Sequence, residues 1–268
     1  MWMQCLGQAG LRVIGEAFMG KWGESIRQAN PRGFYESKLR QGVFYATNPN
    51  PKTGQYLRPE ETTQHAVKVF IPGLARTDIA FINHVIATMR PWQVYTRSIQ
   101  KLYAMEDAHH LTLDDAARKK AQAAVRRSRP RIPPEVEWWL EHYDLIRDVS
   151  TRRYPIHFTS YERMLNDPEK EFQTVFRWLG TGDAKAAASC VDPELHRSNT
   201  SDEVPSSLPP ETLALMDELY DRIHRQAGLN EALIGELNRH QAQIVEQYGA
   251  PSRERMREDL EPPAETAD

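Results

Sequence analysis

An α/β fold is predicted, a parallel sheet flanked by helices with a helical carboxyl-terminal region, and three observations carry the expectation. Short apolar runs alternate with helix-period segments along residues 1–180. The order is strand, helix, strand, which suits a parallel sheet covered by helices. From Pro210 to about Tyr248 the period is helical throughout, with one interruption near Gly228. A chain of 268 residues, 40% hydrophobic and 26% charged, is long enough to bury a substantial core.

Residues 1–10 read as the end of an amphipathic helix stopped by Gly10, followed by a short strand, Arg12-Val13-Ile14-Gly15. The stretch from Lys38 to Gln64 has no clear period and reads as a substrate-side loop or lid. "AVKVFIPGL" gives a strand around Val67-Lys68-Val69-Phe70, closed by Pro72-Gly73. "HVIATM", from His84 to Met89, is a buried strand, and Ile156 to Thr159 is another with a helix after Ser160. Helices are expected at about 112–128, 134–150 and 168–180. Residues 1–248 then form a single domain, and the charged, proline-containing stretch 249–268 is expected to be a disordered tail.

A net charge of -3 offers no whole-chain attraction to nucleic acid or to an anionic membrane, so any anion site must be local. Cys5 and Cys190 are too few and too far apart for a disulfide framework, which fits a cytoplasmic setting. No apolar run approaches the ~20 residues of a membrane span. His109-His110 lacks further ligand spacing, so no metal is expected.

The segment "MRPWQVYTRS" carries the first chemical signal. Ligands of open parallel sheets sit beyond the carboxyl ends of the strands, which is where Arg90 falls. Pro91 starts the next helix at the position where a missing N–H costs nothing, and Ser98 lies two turns along it. A guanidinium fork beside a hydroxyl suits a phosphate. On spacing alone, a structural ion pair for Arg90 and a helix-surface role for Ser98 are the ordinary alternatives.

Four segments, "NPRGFYES" (Asn30 to Ser37), "VKVFIPGL" (Val67 to Leu74), "RPWQVYTRS" (Arg90 to Ser98) and "YERMLNDPEKEFQTVFRWLG" (Tyr161 to Gly180), together resemble the sulfotransferase family. That family uses 3′-phosphoadenosine 5′-phosphosulfate (PAPS) and has a three-layer fold of the P-loop NTPase type. The resemblance covers roughly residues 1–200. It implies transfer of a sulfuryl group from PAPS to a hydroxyl or amine on a small-molecule or glycan acceptor. By the same resemblance Arg90 and Ser98 hold the donor's 3′-phosphate, Arg197 in "ELHRSN" returns toward it, and Lys68 stands near the bridging oxygen. A cation there is chemically apt, because negative charge develops on the leaving oxygen. Taken alone, Lys68 is equally a surface lysine at a strand edge.

Two departures from the family pattern bear on activity. Cytosolic members carry a catalytic histidine two residues after the lysine, and Phe70 stands there instead. Other branches use a glutamate, for which Glu16 in "VIGEAF" and Glu36 in "NPRGFYES" are the candidates, with His65 a weaker third. A carboxylate serves as base when burial raises its pKa toward working pH; the ordinary alternative for each is a loop or capping glutamate. The family's glycine- and serine-rich donor loop is absent, and the chain reads as if it begins in the helix after that loop, with strand and loop upstream of Met1. The expectation is a fragment of a fuller sulfotransferase. The alternative is a catalytically inactive relative that binds a nucleotide or a partner.

A kinase-like phosphotransferase would need a lysine-bearing phosphate loop and magnesium ligands, and neither is evident. "KKAQAAVRRSRPR", with Lys119, Lys120, Arg126, Arg127, Arg129 and Arg131, reads as a solvated helix face or as a contact for an anion. Trp138-Trp139 fits helix core packing better than a stacking platform for bases. Leu213, Met216, Leu219, Tyr220 and Ile223 serve packing on the domain or on a second copy of the chain equally well.

Overall fold

Local sequence signals set most of the element boundaries. The computed structural model describes residues 1–18, 27–112, 132–192 and 204–248. Helix α1 spans Trp2–Gln8 and leads into strand β1, Arg12–Ile14. Strand β2 is His65–Val67 and helix α2 is Ile71–Arg76. Strand β3, Val85–Met89, runs into helix α3, Trp92–Thr112, directly after Pro91. Helix α4 is Pro134–Arg152, opened by a proline in its first turn and closed by Arg153 in the left-handed region at φ 56°.

Strand β4, Ile156–Ser160, passes straight into helix α5, Tyr161–Asn166, because Ser160 caps it by accepting the Arg163 N–H. Helix α6, Pro168–Leu179, shows start and stop signals together: Asp167 caps the Lys170 N–H, and Gly180 turns the chain at φ 72°. Helices α7 (Ala184–Ala188), α8 (Pro210–His224) and α9 (Glu231–Tyr248) complete the order.

The α/β class holds, but the sheet differs from the single one expected. Strand β1 pairs in parallel with β2, and β3 pairs in parallel with β4, as two separate two-stranded sheets. The strand expected over Val67 to Phe70 is shifted: β2 ends at Val67, and Phe70 is the residue before α2. Pro72 and Gly73 lie inside that helix instead of closing the strand. The reason is that proline is tolerated in a first helical turn, so "IPGLAR" can continue as helix. The helix expected at 112–128 falls outside the described residues beyond Thr112, as does the expected tail 249–268. The Lys38–Gln64 loop contains two 3-10 turns, Lys38–Gln41 and Pro59–Thr62.

Two apolar clusters cover opposite faces of the β3–β4 pair. One takes Met89 and Trp92 with Trp138 and Trp139 of α4 and with residues of α8 and α9, and Phe158 packs against it. The other joins Cys5 and Leu6 of α1 to Tyr161, Phe172 and Phe176, and both Ile86 and Ala66 pack against it. Ile86 and Met89 therefore look to opposite sides, as strand alternation requires. Both tryptophans expected to be core are 1% exposed, and each satisfies its N–H: Trp138 Nε1 donates to the Arg90 carbonyl at 2.9 Å and Trp139 Nε1 to Gln241 Oε1 at 2.7 Å. Among the described residues no helix is long and apolar enough to cross a membrane.

Candidate functional site

The carboxyl ends of β2 and β3 bring Lys68 and Arg90 into reach of one place. Each follows its strand directly or within one residue, because the chain leaves the sheet there for a helix. The amino group of Met1 registers their convergence. Its pKa is lowered first by burial, Cys5 acts in the opposite sense, and the charges of Arg90, Lys68 and Arg32 lower it further. Lys68 and Arg90 thus both act on the Met1 amino group from the strand ends, where an anion would gain from them, whereas the Arg32 guanidinium is paired with Asp192 at 2.7 Å.

Lys68 does not stand alone. Its Nζ donates to Glu36 Oε1 at 2.7 Å and lies over the Phe34 and Phe70 rings, 5.7 and 5.4 Å from their centroids. The other carboxylate oxygen of Glu36 accepts from the Arg40 guanidinium, so one carboxylate, 3% exposed, is held between two cations. Arg40 is delivered by the 3-10 turn Lys38–Gln41, whose start is fixed by Ser37 Oγ accepting the Leu39 N–H. Buried carboxylates require such partners.

Gly42 and Gly73 let that turn lie directly against α2. A Cβ on Gly73 would meet the Arg40 carbonyl at 2.6 Å and the Gly42 nitrogen at 2.7 Å, both backbone atoms. Gly73→Ala should therefore destabilise the protein by about 1–3 kcal/mol, as overpacking does, and displace Arg40 from Glu36. Thermal unfolding measures the first effect, and loss of the Arg40→Met penalty in the Gly73→Ala background measures the second.

The two glutamates proposed as base meet through their backbones. Glu16 and Glu36 form an antiparallel bridge, each N–H donating to the other's carbonyl at 3.0 and 3.1 Å. The approach depends on Gly15, since a Cβ there would lie 2.5 Å from the Tyr35 carbonyl oxygen. Their side chains differ: Glu16 is exposed and Glu36 is buried beside Lys68. His65 opens β2, and its buried Nδ1 has no hydrogen-bond partner among the described residues. Phe70 is 40% exposed beside the cations and has no group that takes a proton.

Arg90 is oriented by Tyr161, the first residue of α5, with its guanidinium 3.9 Å from the ring centroid. Stacking of this kind contributes about 0.5–2 kcal/mol and fixes the plane of the fork. Burial raises the Tyr161 pKa while the Arg90 charge opposes it, so the phenol keeps its proton. Ser98 lies two turns into α3, half-buried, and no hydrogen bond among the described residues joins it to Arg90. Arg197 and the basic stretch 119–131 lie outside the described residues. Among the described residues no group of His, Cys, Asp and Glu is arranged to hold a metal ion.

Arg40, Tyr161 and Arg32 are the residues that reading the sequence did not single out. Tyr161 had a signal, as the residue after a strand whose neighbour carries Arg90. Arg40 had a weaker one, four residues beyond Glu36, which matters only if the intervening segment coils. Arg32 had none, because its partner Asp192, bonded at 2.7 Å, is remote in sequence.

No family model, curated protein or solved structure matches this chain.

Proposed function

We propose that this protein transfers a sulfuryl group from PAPS to a hydroxyl or amine of a small-molecule or glycan acceptor, in the cytoplasm and without a metal. The observation that carries the reading is that Lys68 and Arg90 directly follow β2 and β3 at the carboxyl ends of those strands. Those residues fit the donor's phosphate and sulfate groups by charge and donor count. In this reading Arg90, held flat by Tyr161, takes the 3′-phosphate with Ser98. Lys68 meets the charge that develops on the bridging oxygen as the S–O bond breaks. Glu36 accepts the acceptor's hydroxyl proton, with Glu16 the exposed alternative.

A second reading has its own support. Both oxygens of Glu36 are engaged by Lys68 and Arg40, and Phe70 has no proton to exchange. A nucleotide-binding protein without transfer activity would retain the cations and make no use of a base.

Calorimetric titration with 3′-phosphoadenosine 5′-phosphate, the donor's product, tests what both readings share. The parent chain should bind saturably, and Arg90→Ala should weaken binding tenfold or more, because a charged hydrogen bond is worth roughly 1.5–3 kcal/mol. Absence of binding by a folded parent would sink both readings. Binding with no transfer of labelled sulfate to any of a panel of phenols, amines and glycans would leave only the second.

A further inference from the structure

A cavity of about 150 Å³ lies between helices α2 and α4 and strand β3. Ile71 and Leu74 of α2, Ala87 and Met89 of β3, Leu145 of α4 and Phe158 of β4 make its walls apolar. The polar side chains that line it are Thr88, which is exposed, and His142 of α4, which is 7% exposed. Among the described residues no charged side chain lines it.

His142 offers that space one defined chemical group. Its Nδ1 lies 2.7 Å from the Trp138 carbonyl, one helical turn back. A carbonyl only accepts, so Nδ1 carries the proton and Nε2 is a bare acceptor. Burial lowers the His142 pKa to about 4, against the opposing effect of the Trp138 hydrogen bond, so the ring is neutral at pH 7. The Trp138 ring, 4.3 Å away between centroids, holds the imidazole plane. No residue among those described donates to Nε2, and an unmatched buried acceptor is costly.

The direction of α4 places that acceptor away from the cations. Trp138 Nε1 donates to the Arg90 carbonyl at one end of β3, while the Val85 N–H at the other end donates to the Pro155 carbonyl, just beyond α4. Helix and strand therefore run antiparallel. His142 lies one turn, about 6 Å along the helix, further from Arg90 than Trp138 does. Neither Lys68 nor Arg90 lines the cavity.

We propose that this cavity binds a small neutral aromatic molecule carrying one N–H or O–H, which donates its hydrogen to His142 Nε2. Each part of that description follows from the walls. A cavity of this volume with hydrocarbon walls takes a benzene-sized ring. A lone acceptor calls for a donor, and walls without a counter-charge turn away carboxylates and ammonium ions. Because the ligand's hydrogen is engaged by His142, the site is distinct from the acceptor position that sulfuryl transfer needs and does not depend on that reading.

Pyrrole and furan test this on the full chain, since the two rings match in shape and only pyrrole has a donor. Calorimetry should show saturable one-to-one binding of pyrrole, at least fivefold tighter than furan. The nitrogen-15 resonance of His142 Nε2 should move as pyrrole is added. Ala87→Leu, which fills the cavity, should abolish binding of both rings, and His142→Phe should bring the two to equal affinity. The comparison of ligands on the parent needs no substitution and decides the matter where a variant fails to fold. The proposal is overturned by a folded parent that does not bind pyrrole saturably or binds furan as tightly. Pyrrole binding that leaves the Nε2 resonance unmoved also overturns it, since the ligand then sits elsewhere.

Discussion

Replacing both Lys68 and Arg40 by methionine should destabilise the protein by about 3–5 kcal/mol, far more than the two single replacements together. Either cation alone still satisfies Glu36. Lys68 and Arg40 are partly exposed, 32% and 28%, so each single loss should cost only about 1 kcal/mol. With both gone, a carboxylate that is 3% exposed has no ion-pair partner among the described residues. An uncompensated buried charge is among the most destabilising changes a fold can suffer. Urea denaturation of the four proteins in the cycle measures the coupling, expected at 1 kcal/mol or more. Adding Glu36→Met to the double replacement should return most of the loss, since an apolar triad removes the charge that was stranded. If the double variant is merely the sum of the singles, Glu36 is hydrated and the buried triad does not organise this end of the site.

The same triad bears on the proposed chemistry. An ammonium already paired with a carboxylate offers a donor anion less net charge than an isolated one, so the sulfate of PAPS and Glu36 would compete for Lys68. Glu36→Gln therefore separates two roles. It should tighten binding of the product nucleotide, by removing the competing charge, while abolishing transfer if Glu36 is the base.

How much of this was legible in the sequence depends on range. Strands β1, β3 and β4 and helices α4 and α6 follow from local signals, such as the apolar run before Arg90, Pro134 in the first turn of α4 and the Asp167-Pro168 start with its Gly180 stop. The error at Val67 to Phe70 is local too, since β-branched residues followed by Ile71-Pro72 suit a strand end and a helix start equally. The division of the sheet was not legible, because which edges pair is a property of the assembled chain. The cations at the strand ends were legible as Lys68 and Arg90. Arg40 was not, because nothing in its neighbourhood says that the turn before it packs against Gly73 and aims it at Glu36. Ser98 was named from its spacing to Arg90, yet spacing along a helix does not by itself bring two groups into hydrogen-bonding contact.

A second buried carboxylate should govern acid stability. Glu171, on α6, is 1% exposed. Burial opposes its charge, but hydrogen bonds from His157 and Thr159 and the charge and hydrogen bond of Arg163 outweigh burial and hold its pKa at about 2. Arg163 Nε lies 2.9 Å from Oε2, and the same guanidinium reaches the His224 carbonyl at 3.3 Å. One carboxylate thus ties the end of β4 to α5, α6 and α8. A carboxyl whose folded pKa lies below its unfolded value near 4.5 adds stability that is complete above that value and disappears as pH falls through 2. The parent should lose up to about 3 kcal/mol over that interval from this group. Glu171→Ala should cost about 3–5 kcal/mol at pH 7, because it strands Arg163 and the fully buried Thr159 hydroxyl. Its stability should then change less than the parent's between pH 4.5 and 2. Denaturation curves collected across that range distinguish this from ordinary loss of packing, which would lower stability by the same amount at every pH.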